Sequence, residues 1–172
     1  MGRRRQRNVE LLIGRTPMPL LDDELQLETL FHEPFVAVAA LQSGWARRRR
    51  IELAELIDES WVLPPYDSAP GRLIFEIFRE CNLEPPVPAM TTLSIQLTTA
   101  LVASGRFVGL LPNSVANFSA GREMLKKLPM KLPGENFSTS IITVKNRTLS
   151  PLADLFISCA REVARPLAGQ GA

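Results

Sequence analysis

The chain is poor in the residues that carry most covalent and metal chemistry. Its 172 residues include two cysteines and one histidine. Cys81, Cys159 and His32 lie far apart along the chain, so neither a metal-ligand spacing nor a paired-thiol redox motif arises. No apolar run approaches the roughly eighteen residues of a membrane span. Arginines stand near the start, but Asn8 and Glu10 interrupt the stretch after them, so no secretory leader is read there. A cytoplasmic setting with reduced thiols is the resulting expectation. Glycines never assemble into GxGxxG, GxxxxGK[ST] or GxSxG, which removes the usual nucleotide-binding and nucleophile-elbow fingerprints. No cofactor, no metal and no catalytic residue is therefore expected.

What is present is an ordinary globular composition, 45% hydrophobic and 22% charged, which excludes a collagen-like chain and a disulfide-dense scaffold. A chain of this length buries roughly 70% of its unfolded surface. It needs no metal or disulfide to fold. Lys and Arg total 20 against 18 Asp and Glu, yet eight of the positives sit in two clusters, Arg3, Arg4, Arg5 and Arg7, and Arg47 to Arg50. Twelve basic side chains face eighteen acidic ones in the remainder. An acidic body with two short arginine runs does not make a nucleic-acid-reading face. Arg47 to Arg50 read first as a solvated connector, and residues 1–8 as a basic terminal segment.

The pattern alternates strand and helix. VELLI (residues 9–13) reads as a strand ending at Gly14, LQLETLF (25–31) as a strand, and FVAVAA (35–40) as another, paired with it as a hairpin or crossing away from it. IELAELI (51–57) reads as a short amphipathic helix. WVLPP is a buried strand closed by prolines, followed by cap chemistry at Asp67 to Gly71 and a helix through LIFEIFREC. VPAMTT is a strand candidate, residues 94–104 a helix stopped by Gly105, and FVGLLP a strand followed by a short helix at 114–118. Residues 125–130 and 137–144 are further strands. The last helix, LADLFISCAREVARPL, aligns Leu152, Leu155, Phe156, Cys159 and Val163 along one face. Continuous apolar strands between helices imply an α/β fold with a largely parallel sheet.

In open α/β sheets, ligands gather beyond the carboxyl ends of strands, where helix N-termini offer free N–H groups. Ser68 after WVLPP occupies such a junction, and Thr91, Thr92 and Ser94 occupy another. Arg15 and Thr16 after VELLIG make a third. For the two helix junctions, simple N-capping is an equal alternative to ligand contact; for Arg15 it is a surface position at a strand end. Together the three would suit a small anion.

The ordered pieces VELLIGR, EPFVAVAA, IELAELIDESWVLPP, TTLSIQLTTALVASGRFVGLLPNSVA and NRTLSPLADLFISCAREV resemble the effector-binding region of LysR-type transcriptional regulators, from Val9 to about Leu167. That resemblance implies a two-lobed fold similar to type II periplasmic-binding proteins. Residues 9–39 and 137–168 would form a partial first lobe, 40–136 the second, and 169–172 a tail. It also implies an effector held between lobes by Arg15 or Thr16 in the first and Ser68, Thr91 or Thr92 in the second, with a wall from Pro64, Tyr66 and Pro112. The family places a helix-turn-helix and the opening βαβ portion of the first lobe ahead of this region. The partners that the resemblance implies are a small-molecule effector and further copies of the same chain, in a dimer or a tetramer, with DNA contacted only through the N-terminal domain and no membrane contact; residues 9–167 alone are not expected to bind an operator. A solute-binding protein of a transport system is the alternative on the same fold. A small α/β transferase or hydrolase would need a catalytic set that the sequence does not assemble.

Overall fold

The structure, a computed structural model, describes residues 9–16, 24–118, 123–133 and 137–168. The basic segment 1–8, the prolines at 17 and 19, Gly134 and the tail 169–172 lie outside the described residues. The chain divides into two compact units, one made of residues 1–33 and 136–172, the other of residues 34–135.

The first unit holds β1 Leu11–Thr16, β2 Leu25–Glu33 and β8 Phe137–Val144 in a three-stranded antiparallel sheet of order β1-β8-β2. β1 begins two residues later than expected and runs through Gly14, because its backbone stays paired with β8 as far as Thr16 opposite Ser138. A bulge between Thr29 and Phe31 breaks the simple alternation of β2. The closing helix, Pro151–Ala168, packs on β2. Its rotation corrects the expected face: Ala153, Ile157 and Ala164 are buried, whereas Leu152 is 75%, Leu155 61% and Val163 70% exposed, and Cys159 is exposed too. Polar anchors at its start and past its middle hold that rotation. The Glu10 carboxylate accepts from the Ser150 hydroxyl at 2.6 Å, Ser150 Oγ accepts from the Ala153 N–H, and Arg161 grips Glu28 through Nε at 2.6 Å and Nη2 at 2.8 Å.

The second unit holds β3 Phe35–Ala40, β4 Trp61–Leu63, β5 Met90–Thr91, β6 Val108–Pro112 and β7 Leu125–Lys127 in a five-stranded sheet of order β5-β4-β6-β3-β7. β3 pairs with β6 and β7, so the chain crosses between sheets after β2 and no hairpin forms between these two strands. The division thus falls at Glu33/Pro34, ahead of the expected 39/40, since β3 spends its whole length in the second sheet. Only β4 runs parallel to neighbours, β5 and β6; every other described pair is antiparallel. A continuous apolar run reports burial on both faces but not direction, which is why the largely parallel expectation fails for FVAVAA.

Helix α1 spans Ala69–Glu80, α2 Ile95–Ala103 and α3 Asn113–Asn117; the closing helix is α4. IELAELI forms a short 3-10 helix at Leu53–Leu56, briefer than the expected 51–57, with Leu53 and Leu56 buried. Glu52 and Glu55 cap each other reciprocally there, and the Leu56 carbonyl, which a longer helix would use, accepts from Trp61 Nε1 at 2.9 Å. Trp61 is fully buried and meets Phe78 edge-on at 5.5 Å. A second cluster of Val38, Val102, Leu111, Ala116 and Leu125 completes the packing of this unit.

Candidate functional site

In the second unit, the carboxyl ends of β4 and β5 lie side by side, Leu63 in register with Thr91, and the Thr92 N–H donates to the Leu63 carbonyl at 3.1 Å. The prolines after β4 prevent further ladder pairing, so the chain turns over this edge into α1. That turn is tightly wound. The Ser68 N–H and hydroxyl both donate to the Pro65 carbonyl, at 3.0 and 2.5 Å, and Ser68 Oγ accepts from the Gly71 N–H at 3.1 Å. A Cβ at position 71 would stand 2.0 Å from the Pro65 oxygen, so only glycine fits. Arg72 folds back and donates from Nη1 to the Asp67 carbonyl at 2.7 Å.

The start of α2 is built likewise. Thr92 Oγ1 accepts from the Ser94 N–H at 3.0 Å, and Ser94 Oγ accepts from the Leu97 N–H at 3.2 Å. Neither α1 nor α2 has an acidic residue in its first turn, so the positive end of each helix dipole stays uncompensated there. The N–H groups of Ala69, Ile95 and Gln96 stand in first-turn positions that have no intrahelical acceptor.

The expected residues therefore separate into groups. Pro64, Thr91, Thr92 and Ser94 come together along the edge formed by the ends of β4 and β5, while Ser68 has its described partners within the turn at 65–71. Ser68 and Ser94 act as N-caps, which is the capping reading made geometric. Pro112 is the buried last residue of β6, opposite Phe35, and presents no open wall. Tyr66 is 64% exposed and packs edge-on against Phe75 at 4.7 Å. The crevice beside it, lined by Pro64, Pro85, Pro86 and Pro88, holds only about 70 Å³, below the few hundred of a ligand cavity. Arg15 and Thr16 are the last residues of β1, opposite Thr139 and Ser138, and only their backbone is described.

Elsewhere, burial and the neighbouring Glu80 push the Cys81 thiol up from its ordinary value.

A family model described as the LysR substrate binding domain matches residues 3–165. The Hca operon transcriptional activator HcaR of Escherichia coli K12 is 25% identical over 158 residues, covering 91% of this chain and 52% of its own length. The transcriptional dual regulator GltC of Bacillus subtilis 168 is 27% identical over 153 residues, covering 88% and 50%. The chain spans about half the length of these curated relatives. Among solved structures, the effector binding domain of QuiR in complex with shikimate superposes with a TM-score of 0.72 at 20% identity, covering 91% of this chain and 72% of that one. The CcmR regulatory domain of Synechocystis PCC6803 in complex with 2-PG gives 0.73 at 16% identity, covering 91% and 74%. At such identities the superpositions establish the fold, a two-lobed periplasmic-binding-protein-like one.

Proposed function

The chain belongs to the LysR substrate binding domain family, and from that premise we propose that it is the effector-sensing part of a cytoplasmic transcriptional regulator. A small anionic or polar metabolite occupies the edge where β4 and β5 end. Binding there shifts the population of domain conformations, and a homo-oligomer passes the shift to the DNA-binding part of the regulator. The observation that carries this reading is the convergence of Thr91, Thr92 and the open N–H groups of Ile95 and Gln96 on one sheet edge, in a chain matched over nearly its whole length by one ligand-binding family. The similarity to regulators favours this reading over a transport solute-binding role.

Calorimetric titration of the chain with a library of small polar and anionic metabolites tests it. At least one compound is expected to bind saturably, and at a hundredfold excess over its Kd to stabilise the fold by about 2.7 kcal/mol. Hydrogen exchange is expected to slow at residues 91–96. A library without a single binder, or binding that leaves those amides unprotected, sinks the assignment.

A further inference from the structure

We infer that a groove at the far end of α1 is a second small-molecule site, and that it takes a monoanion with an apolar body, a short-chain or aryl carboxylate. The groove runs between residues 50–53 and 129–131, with Cys81 against it. It holds about 630 Å³, within the range of small-ligand cavities and far above the roughly 70 Å³ crevice beside Tyr66. All of its lining belongs to the second unit. Cys81 caps the carboxyl end of α1, so the helix's 12 residues separate the groove from the turn at Ser68, about 18 Å at 1.5 Å per residue. The groove is thus distinct from the edge where β4 and β5 end.

Its floor is apolar and its rim is charged. Buried Ile51 and Leu53 lie at the base beside half-buried Met130. The backbone holds both walls: the Ile51 N–H donates to the Pro129 carbonyl at 3.3 Å, the Met130 N–H donates to the Leu128 carbonyl at 2.8 Å, and Glu52 and Glu55 cap each other. Little backbone ordering remains to be done on binding. Arg50, Glu52 and Lys131 are the charged side chains of the lining. The Glu52 carboxylate is engaged twice, accepting from Arg50 Nη2 at 3.1 Å and from the Glu55 N–H. Lys131 makes no ion pair among the described residues. Two cations against one carboxylate leave a single positive charge over an apolar floor. A monoanion balances that charge, whereas a phosphate monoester, at nearly two negative charges, overshoots it. The arginine run thereby divides in its roles: Arg48 pairs with Glu55 and lies over the Trp45 ring, 5.6 Å from its centroid, while Arg50 lines the groove.

The test is a two-dimensional NMR titration of the 172-residue chain with hexanoate and phenylacetate, each beside its neutral primary amide. Both acids are expected to give saturable shifts in the amides of residues 50–53, 130 and 131 and in the Met130 methyl, and to bind at least about threefold more tightly than their amides, the scale of an exposed charge pair. Lys131→Gln and Arg50→Gln are each expected to raise the acid Kd about threefold. Lys131→Glu, at an exposed position, is expected to abolish acid binding while leaving amide affinity and melting temperature unchanged. Arg106→Gln, exposed and outside the groove, is expected to change nothing. Absence of saturable shifts in the groove, equal affinity for acid and amide, or acid binding that survives Lys131→Glu overturns the inference. Shifts confined to residues 91–96 overturn it as well, and support the strand-end effector site instead.

Discussion

The two units of this chain solve the problem of burying a sheet in opposite ways. In the second, large side chains fill the interior: Trp61, Phe78, Leu56 and Val62 are all but inaccessible, and the polar groups near them serve chiefly to end and turn elements. In the first, α4 meets β2 through Ala153, Ile157 and Ala164, small or single contacts, and its placement is set by the Glu10–Ser150 and Glu28–Arg161 links. Apolar periodicity therefore means different things in the two units. On α1 the apolar stripe of Ile74, Ile77 and Phe78 is core; on α4 the more conspicuous stripe of Leu152, Leu155, Phe156 and Val163 faces outward. Periodicity identifies that a helix has an apolar face, while polar contacts at its ends decide which face meets the sheet.

The largest effect expected from this contrast is in the second unit. Trp61→Ala removes a fully buried indole, its hydrogen bond to Leu56 and its edge contact with Phe78, and is expected to cost about 3–5 kcal/mol in denaturant unfolding. In the first unit, Ile157→Ala removes a smaller buried side chain and is expected to cost less, about 2 kcal/mol, the low end for a buried aliphatic truncation. A cost for Ile157→Ala equal to that of Trp61→Ala would erase the distinction between the units. Gly71→Ala comes next at about 1–3 kcal/mol, since the added methyl meets the Pro65 carbonyl and not a flexible side chain. Its diagnostic is a loss of protection confined to residues 65–72 in hydrogen exchange.

Much of this architecture is legible in the sequence, and the failures are instructive. The element order, both capped helices and the strand-end hydroxyls derive from local rules, because prolines, Ser68, Ser94 and Gly105 act within a few residues of themselves. Strand direction does not, because FVAVAA looks the same whether its neighbours run parallel or antiparallel. Gly14 reads as a stop, yet pairing with β8 on one side carries β1 through it to Thr16. The junction at Ser68 is foreseen, but which hydrogen bonds its hydroxyl has already spent depends on how Pro65 curls back, a fact of three dimensions.

A smaller effect is expected from the Glu28–Arg161 link. The Arg161 hydrogen bond holds the Glu28 carboxyl below the ordinary carboxylate value. A carboxyl depressed in the folded state contributes stability that is present above its unfolded value and lost as pH falls through the folded one. The pair is partly exposed, 54% and 39% on the two side chains, so screening limits its worth to about 0.5–1 kcal/mol. Glu28→Gln is expected to remove that amount at pH 7 and nothing at a pH below the folded-state value, read from unfolding midpoints across the acid range. A pH-independent loss would mean that the pair positions α4 by shape and not by charge.

The smallest effect sharpens the comparison most. Leu155→Lys on the outward face of α4 is expected to change stability by no more than about 0.5 kcal/mol, the usual span for a surface substitution away from caps and pairs, although it replaces the most helix-typical core residue with a charge. On the face that meets β2, Ile157→Lys buries an ammonium in place of an apolar side chain, and is expected to unfold the first unit. Because Trp45 and Trp61 both lie in the second unit, tryptophan fluorescence reports that unit, and hydrogen exchange along β8 and α4 reports the first. If Leu155→Lys proved as damaging as Ile157→Lys, the rotation set by Ser150 and Arg161 would be wrong, and with it the claim that polar anchors override apolar periodicity in this helix. If Leu155→Lys is neutral while Ile157→Lys abolishes protection in β8 and leaves tryptophan emission intact, the two units hold themselves together by separable means.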